Sequence, residues 1–182
     1  MSLIPVKPTS RQAIWEMVRE LRTLLGVEND LYFNIVAFIE KVLPHLLPDF
    51  VFEICSEEEM GDLHGETFPT ECIIRLREDV YIGACNGKGR DRLTLAHELG
   101  HLLMHDEGSI AFCKLEPNGK IPTFRDPEWQ ADVFGGELLA PSYLIAQMTE
   151  KEIHEKCVVS NRCAQRQLQA IASEQKKHPI SL

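Results

Sequence analysis

The stretch LTLAHELGHLLMHDE, Leu93 to Glu107, places His97, Glu98 and His101 in one helical run, with His105 a turn further on. It is either a metal site or a core helix that happens to carry three histidines among its leucines. Residues four apart on a helix lie about 40° apart around its axis, so His97 and His101 point the same way one turn apart. Two imidazoles so placed can both reach one metal ion at about 2.0–2.1 Å. Glu98 falls beside them rather than among them, where a general base acting on a metal-activated water has to stand. Neutral imidazoles leave the ion net positive, so water beside it is acidified. The neighbouring carboxylate can take that proton and later pass it to a leaving amine.

A chain with seven histidines can produce this spacing by accident. What favours the metal is a third ligand, since such a site needs one more protein donor and an open position. PEWQADVFGGELLAP, residues 127–141, supplies Glu128, whose ordinary alternative role is a favourable charge at a helix N-terminus. Asp132 follows four residues later on the same face. It is placed to accept the outer N–H of a ligating histidine and hold its tautomer, although a surface carboxylate would look the same. Ala131, Gly135 and Gly136 are small where a helix must approach another backbone. Glycine inside a helix costs roughly 1 kcal/mol relative to alanine, so a packing reason is expected.

The surrounding chain bounds the problem. Its 182 residues suit one domain with a sizeable core, and 44% hydrophobic against 26% charged residues is ordinary for a globular protein. No apolar run approaches the roughly 18–20 residues that span a bilayer. MSLIPVKPTSRQ at the N-terminus has neither a signal-peptide apolar core nor a small-residue cleavage site. Cys55, Cys72, Cys85, Cys113, Cys157 and Cys163 are scattered with no CxxC pair, which suits free thiols in a reducing cytoplasm. A net charge of -9 repels a phosphate backbone and argues against a general nucleic-acid binder.

Helices surround a small extended region. The first runs from a cap at Thr9 or Ser10 to a stop at Gly26, and the second, LYFNIVAFIEKVLPHL, ends near Pro44 or Pro48. FVFEI and CIIRLR alternate as strands, with the polar segment 56–71 between them read as a loop. EDVYIGACNG fits a short helix closed by Gly87, and EPNGK fits a turn. Asp126 caps a helix with Pro127 at its first position, running to about Leu139. Beyond Pro141, Thr149 with Glu152 and then Ser160 cap two more helices in a pattern like a helix-turn-helix, with Arg162 and Arg166 facing outward. Helical hairpins of this kind mostly pack, so this one is expected to dock a partner rather than DNA.

RLTLAHELGHLLMH followed by EWQADVFGGELLAP resembles the ImmA/IrrE metallopeptidases, zinc proteases of the HExxH type. The resemblance is continuous from Arg90 to Pro141 and weakens before Ile73 and after Pro141. Gly135 and Gly136 stand where alanines are common, and Ala140 where Met is frequent. The resemblance implies an α+β, zincin-like fold, mostly helical, with a small sheet beside the active-site helix. It implies one Zn2+ ion held by His97, His101 and Glu128, with Glu98 in the catalytic position. It also implies a cytoplasmic endopeptidase that cleaves helix-turn-helix repressors governing mobile-element or stress genes. The expected division is 1–141 for the metallopeptidase domain with its N-terminal helices, and 142–182 for a helical extension packed on it. The alternative is a non-proteolytic binding module of a repressor or toxin–antitoxin system, with a structural or vestigial metal. The presence of Glu98 favours the protease, because a structural site needs no base.

Other residues carry weaker readings. His105 is rotated too far from His97 and His101 to share their metal and reads as a half-buried helix-end histidine. His64, Tyr81, Arg90 and Arg92 are candidates to approach an oxyanion, the two arginines more simply being solvated charges or carboxylate partners. Cys113 reads as a buried thiol rather than a metal cap. Strand 72–77, just before the active helix, is the expected edge for an extended substrate.

Overall fold

The computed structural model describes residues 6–105 and 121–177; Cys113 and the EPNGK turn lie outside them. Helix α1 (Arg11–Leu24) starts at Ser10, whose hydroxyl accepts from Ala13 N, and buries Ile14 and Val18. Gly26, at φ +70°, turns the chain away. Next, α2 (Ile35–Ala37), a π turn (Phe38–Val42) and α3 (Leu43–Leu46) run on into one another. The helix therefore passes Pro44 instead of ending there. The π turn comes directly before the proline, with Leu43 N–H bonding five residues back to Phe38 O. It stops before Pro48.

The sheet has three strands in the order β1 (Val51–Cys55), β3 (Ile73–Arg77), β2 (Gly65–Phe68). β3 pairs parallel with β1 and antiparallel with β2, so it is the central strand. This corrects two expectations. Residues 72–77 are paired on both sides and offer no edge, and segment 56–71 is not a loop. It contains α4 (Glu57–Met60), capped reciprocally by Ser56 and Glu59, and the edge strand β2. Ile74 and Leu76 point from β3 into the core, while Arg75 on the other face pairs with Glu53 and Glu66 on the flanking strands.

Against this sheet lie α5 (Glu78–Cys85) and α6 (Gly89–Met104), followed by α7 (Pro127–Leu139). The chain continues through α8 (Ser142–Ile145), α9 (Glu150–Cys157) and α10 (Asn161–Lys177). Thr149 and Glu152 form the expected capping box, and Ser160 accepts from Cys163 N. Leu95 and Leu99 of α6, Phe134 and Leu138 of α7, and Ile14 and Val18 of α1 meet in one core. The architecture is α+β and zincin-like, mostly helical around a small sheet. Among the described residues no helix is long and apolar enough to cross a membrane. Cys55, Cys72, Cys85, Cys157 and Cys163 carry free thiols.

Three buried charged residues tie the elements together. Arg22 donates to Leu138 O at 2.7 Å and to Val27 O and Asp30 O. Arg92 is neither a solvated charge nor a carboxylate partner: it is 1% exposed. Its guanidinium donates to Val158 O and Phe33 O and lies 4.5 Å from the Tyr32 ring centre. Glu137 accepts from Ser142 N, Ser142 Oγ and Gln167 Nε2. Burial pushes its carboxyl up to about 7 against the pull of those donors.

That shift predicts a pH effect on stability. The unfolded carboxyl ionises near 4.5 while the native one keeps its proton to about 7. Between those values the native state binds more protons, so stability falls as pH rises. The fall from this group is roughly 3 kcal/mol, at about 1.4 kcal/mol per pKa unit. Urea unfolding at pH 4.5 and 7.5 is expected to show a flatter pH dependence in Glu137→Gln than in wild type; equal slopes would sink this account.

Candidate metal centre

α6 brings His97 and His101 to the surface that faces the first turn of α7. That turn is placed by Asp126, whose carboxylate accepts from Glu128 N at 3.0 Å, and by Pro127 at the first helical position. The three side chains converge. His97 Nε2 and His101 Nε2 are 3.0 Å apart, and Glu128 Oε2 and Oε1 lie 3.3 and 3.5 Å from them respectively. A tetrahedral zinc with bonds of about 2.0–2.1 Å separates its ligand atoms by about 3.3–3.4 Å. The donor set therefore has the types and spacing that could hold a metal ion.

Asp132 Oδ1 lies 3.1 Å from His97 Nδ1. Its second oxygen is 3.7 Å from Arg166 of α10, an exposed pair of small energetic weight. On the other flank His105 is not a donor to the cluster. Its Nδ1 lies 2.9 Å from His101 Nδ1, and its Nε2 3.1 Å from Gln130 Oε1. Gln130 carries no sequence signal: two positions from both Glu128 and Asp132, it falls off their helical face, and only its contact with His105 marks it.

Glu98 lies against the sheet and is 7% exposed, near enough to the cluster for the charges of His97, His101 and Glu128 to act on it. Thr67 of β2 donates to Glu98 Oε2 at 2.6 Å and reaches Glu98 O at 3.1 Å. Two residues earlier on the same strand, Gly65 leaves the space that the carboxylate occupies. A Cβ there would lie 2.8 Å from Glu98 Cγ and Oε1. Thr67 and Gly65 carry no sequence signal, since their strand itself reads as loop.

The electrostatics separate three carboxylates by environment. Burial, the largest influence, raises Glu98 above the ordinary carboxylate range against the Thr67 hydrogen bond. Hydrogen bonds from His101 and His97 hold Glu128 well below that range, and one from His97 lowers Asp132. Burial would lower His97, but its bonds to Asp132 and Glu128 outweigh it and raise it to about 10. Burial lowers His105 to about 4. The cluster thus favours positive charge between its carboxylates, while His105 stays neutral.

The remaining candidates are dispersed. His64 Nε2 and Arg90 Nη2 lie 3.5 Å apart at the surface. Arg90 also lines, with Leu93, Thr94, His97 and Asp132, a shallow groove of about 250 Å³. Tyr81 is engaged with Glu40 at 2.5 Å.

A small sheet beside a helix with two histidines and a buried glutamate, and a third donor from the next long helix, is the construction of a zincin-type metallopeptidase. The chain belongs to the Peptidase M78 family: the family model, described as the IrrE N-terminal-like domain, matches residues 47–167. The match takes in the whole sheet and the first part of α10, well beyond Arg90 to Pro141. No curated protein matches at a significant level.

The Gly65–Glu98 contact is testable without any substrate. Gly65→Ala is expected to destabilise the protein by about 1–3 kcal/mol through overpacking. In a Glu98→Ala background the penalty should shrink to a fraction of that, because the group it strikes is gone. An equal penalty in both backgrounds, by urea titration, would mean that Gly65 is small for another reason.

Proposed function

We propose that the protein is a zinc-dependent endopeptidase, with one Zn2+ held by His97, His101 and Glu128, and Glu98 as general base. The observation that carries this is the convergence of His97 Nε2, His101 Nε2 and the two Glu128 carboxylate oxygens at separations of 3.0 to 3.5 Å, beside a buried carboxylate that is not part of the set. Zinc bound there supplies a Lewis acid that acidifies water and polarises a peptide carbonyl. The chain's own residues do the rest. Thr67 holds Glu98 Oε2 and leaves Oε1 to take the proton of the attacking water and deliver it to the leaving amine. Burial raises the proton affinity of Glu98 toward the range in which such a transfer is efficient. Asp132 accepts the Nδ1 proton of His97 and keeps its Nε2 turned to the ion.

Members of a peptidase family act on proteins, and an extended segment is most simply held by adding a strand to an exposed sheet edge. That edge is β2, beside α6, rather than β3. The resemblance to ImmA/IrrE proteins supports a helix-turn-helix repressor as the substrate. The free thiols support a reducing, cytoplasmic setting. Residues 142–182 are read as a helical extension packed on the 1–141 metallopeptidase domain; the Arg92 bond to Val158 O supports the packing.

The test compares wild type, His101→Ala and Glu98→Gln for zinc affinity and for cleavage of a helix-turn-helix repressor encoded beside the protease gene. Wild type and Glu98→Gln are expected to bind one zinc per chain, with at least tenfold weaker binding in His101→Ala. Cleavage should fall by on the order of 10²–10⁴ in Glu98→Gln. Equal zinc binding by all three would overturn the ligand set. Zinc bound as expected, with tight repressor binding but no cleavage by wild type, would favour the binding module.

A further inference from the structure

We propose that His105 and Gln130 are positioning residues for His101: a chain of hydrogen bonds from the N-terminal segment sets its tautomer and turns a bare Nε2 toward the metal. This rests on the metal-centre reading above. Gln130 is 1% exposed, and its Nε2 lies 2.9 Å from both Lys7 O and Phe124 O. Two carbonyls can be satisfied only by an NH2 group, so the amide has one possible orientation and its oxygen faces His105. An amide oxygen only accepts, so His105 Nε2, 3.1 Å away, carries the hydrogen. A neutral imidazole with a proton on Nε2 has a lone pair on Nδ1. His101 Nδ1, 2.9 Å from it, must then be the donor. The lone pair of His101 is left on Nε2, the atom 3.5 Å from Glu128 Oε1 and 3.0 Å from His97 Nε2.

For a neutral His105, which carries a single ring hydrogen, each step follows from valence. Had His105 Nδ1 carried a hydrogen, His101 would be forced to accept at Nδ1 and place its own proton on Nε2, in the position the ion needs. The two histidines of the site are therefore oriented by different means. His97 has a charged acceptor in Asp132, and His101 has a neutral imidazole backed by an amide. The far end of the chain is itself secured, because Val6 N donates to Arg125 O and Thr9 N to Phe124 O. These two backbone bonds fix the segment that supplies Lys7 O.

The relay is tested first in the zinc-free wild-type protein, so its outcome does not depend on a variant folding. Long-range 15N–1H correlation of the imidazoles is expected to show His101 protonated on Nδ1 and His105 on Nε2. His101 protonated on Nε2, or His105 on Nδ1, overturns the proposal. Zinc affinity by chelator competition then follows in His105→Leu, Gln130→Met, His105→Gln and His101→Ala. The first two are expected to lose about 10–100-fold, the size usual for a group that orients a ligand. His105→Gln should recover most of that loss, since its amide can accept from His101 and donate to Gln130. A purely structural role for His105 would not predict that rescue or a mixed His101 tautomer in Gln130→Met. If His101→Ala alone weakens zinc, the relay fails while the metal centre stands. If His101→Ala binds zinc as wild type does, the metal-centre reading fails and the relay has no ion to serve.

Discussion

The site depends on how closely α6 and α7 approach. A Cβ on Gly135 would lie 3.1 Å from His97 N and 3.2 Å from Ala96 C, and one on Gly100 would lie 3.2 Å from Ala131 Cα. The two helices therefore meet backbone to backbone, with small residues on both sides of the crossing. At that separation, imidazoles on one helix reach carboxylates and an amide on the other without long, mobile side chains between them. A metal site tolerates errors of only about 0.2 Å in its ligand distances. A methyl group at Gly135 or Gly100 would push the helices apart by a comparable amount. The glycines of α7 lower its intrinsic helicity, and the burial of Phe134, Leu138 and Leu139 offsets that deficit.

The same crossing explains how three acidic residues acquire different chemistry. Glu128 and Asp132 sit on the open side of α7 with histidine nitrogens as partners, so their ionised forms are favoured. Glu98 lies against β2 of the sheet, where burial outweighs the Thr67 hydroxyl. Environments that push titratable groups in opposite directions separate a charge-holding role from a proton-transferring one. The net charge of -9 says nothing of this; the division comes from which face of which helix each carboxylate occupies.

Most of this framework could be read from local pattern. The helical spacing of His97 and His101, the Asp126–Pro127 start of α7 and the Thr149–Glu152 box are signals confined to a few residues, and the structure places all of them as read. The misreadings have a different origin. β2 is only four residues long and contains a glycine, so no alternation marked it; its strand identity comes from pairing with β3. Without β2, strand 72–77 reads as an edge. Arg92 looks like any charged residue at the start of a helix. Its burial follows from Tyr32, Phe33 and Val158, which lie far away in the chain. Gln130 and His105 are each ordinary alone and acquire a role only through the α6–α7 contact.

The treatment of Glu98 bears most directly on whether such a site is built for structure or for catalysis. A metal that merely stiffened the α6–α7 crossing would need His97, His101 and Glu128, and nothing at position 98 beyond an apolar side chain for the core. A buried carboxylate there is unfavourable unless it is hydrogen-bonded. It also requires Gly65 in a strand, where glycine weakens both packing and conformational preference. Thr67 offsets part of the desolvation, but the carboxyl still titrates above its ordinary range, so the balance remains against the ionised form. Leucine at position 98 would remove that penalty and leave the three donors in place. A fold that keeps the glutamate, shapes a strand around it and leaves it out of the donor set has accepted lower stability for a group whose distinctive property is exchanging a proton. That is the physical reason to favour the peptidase reading over a structural or vestigial metal.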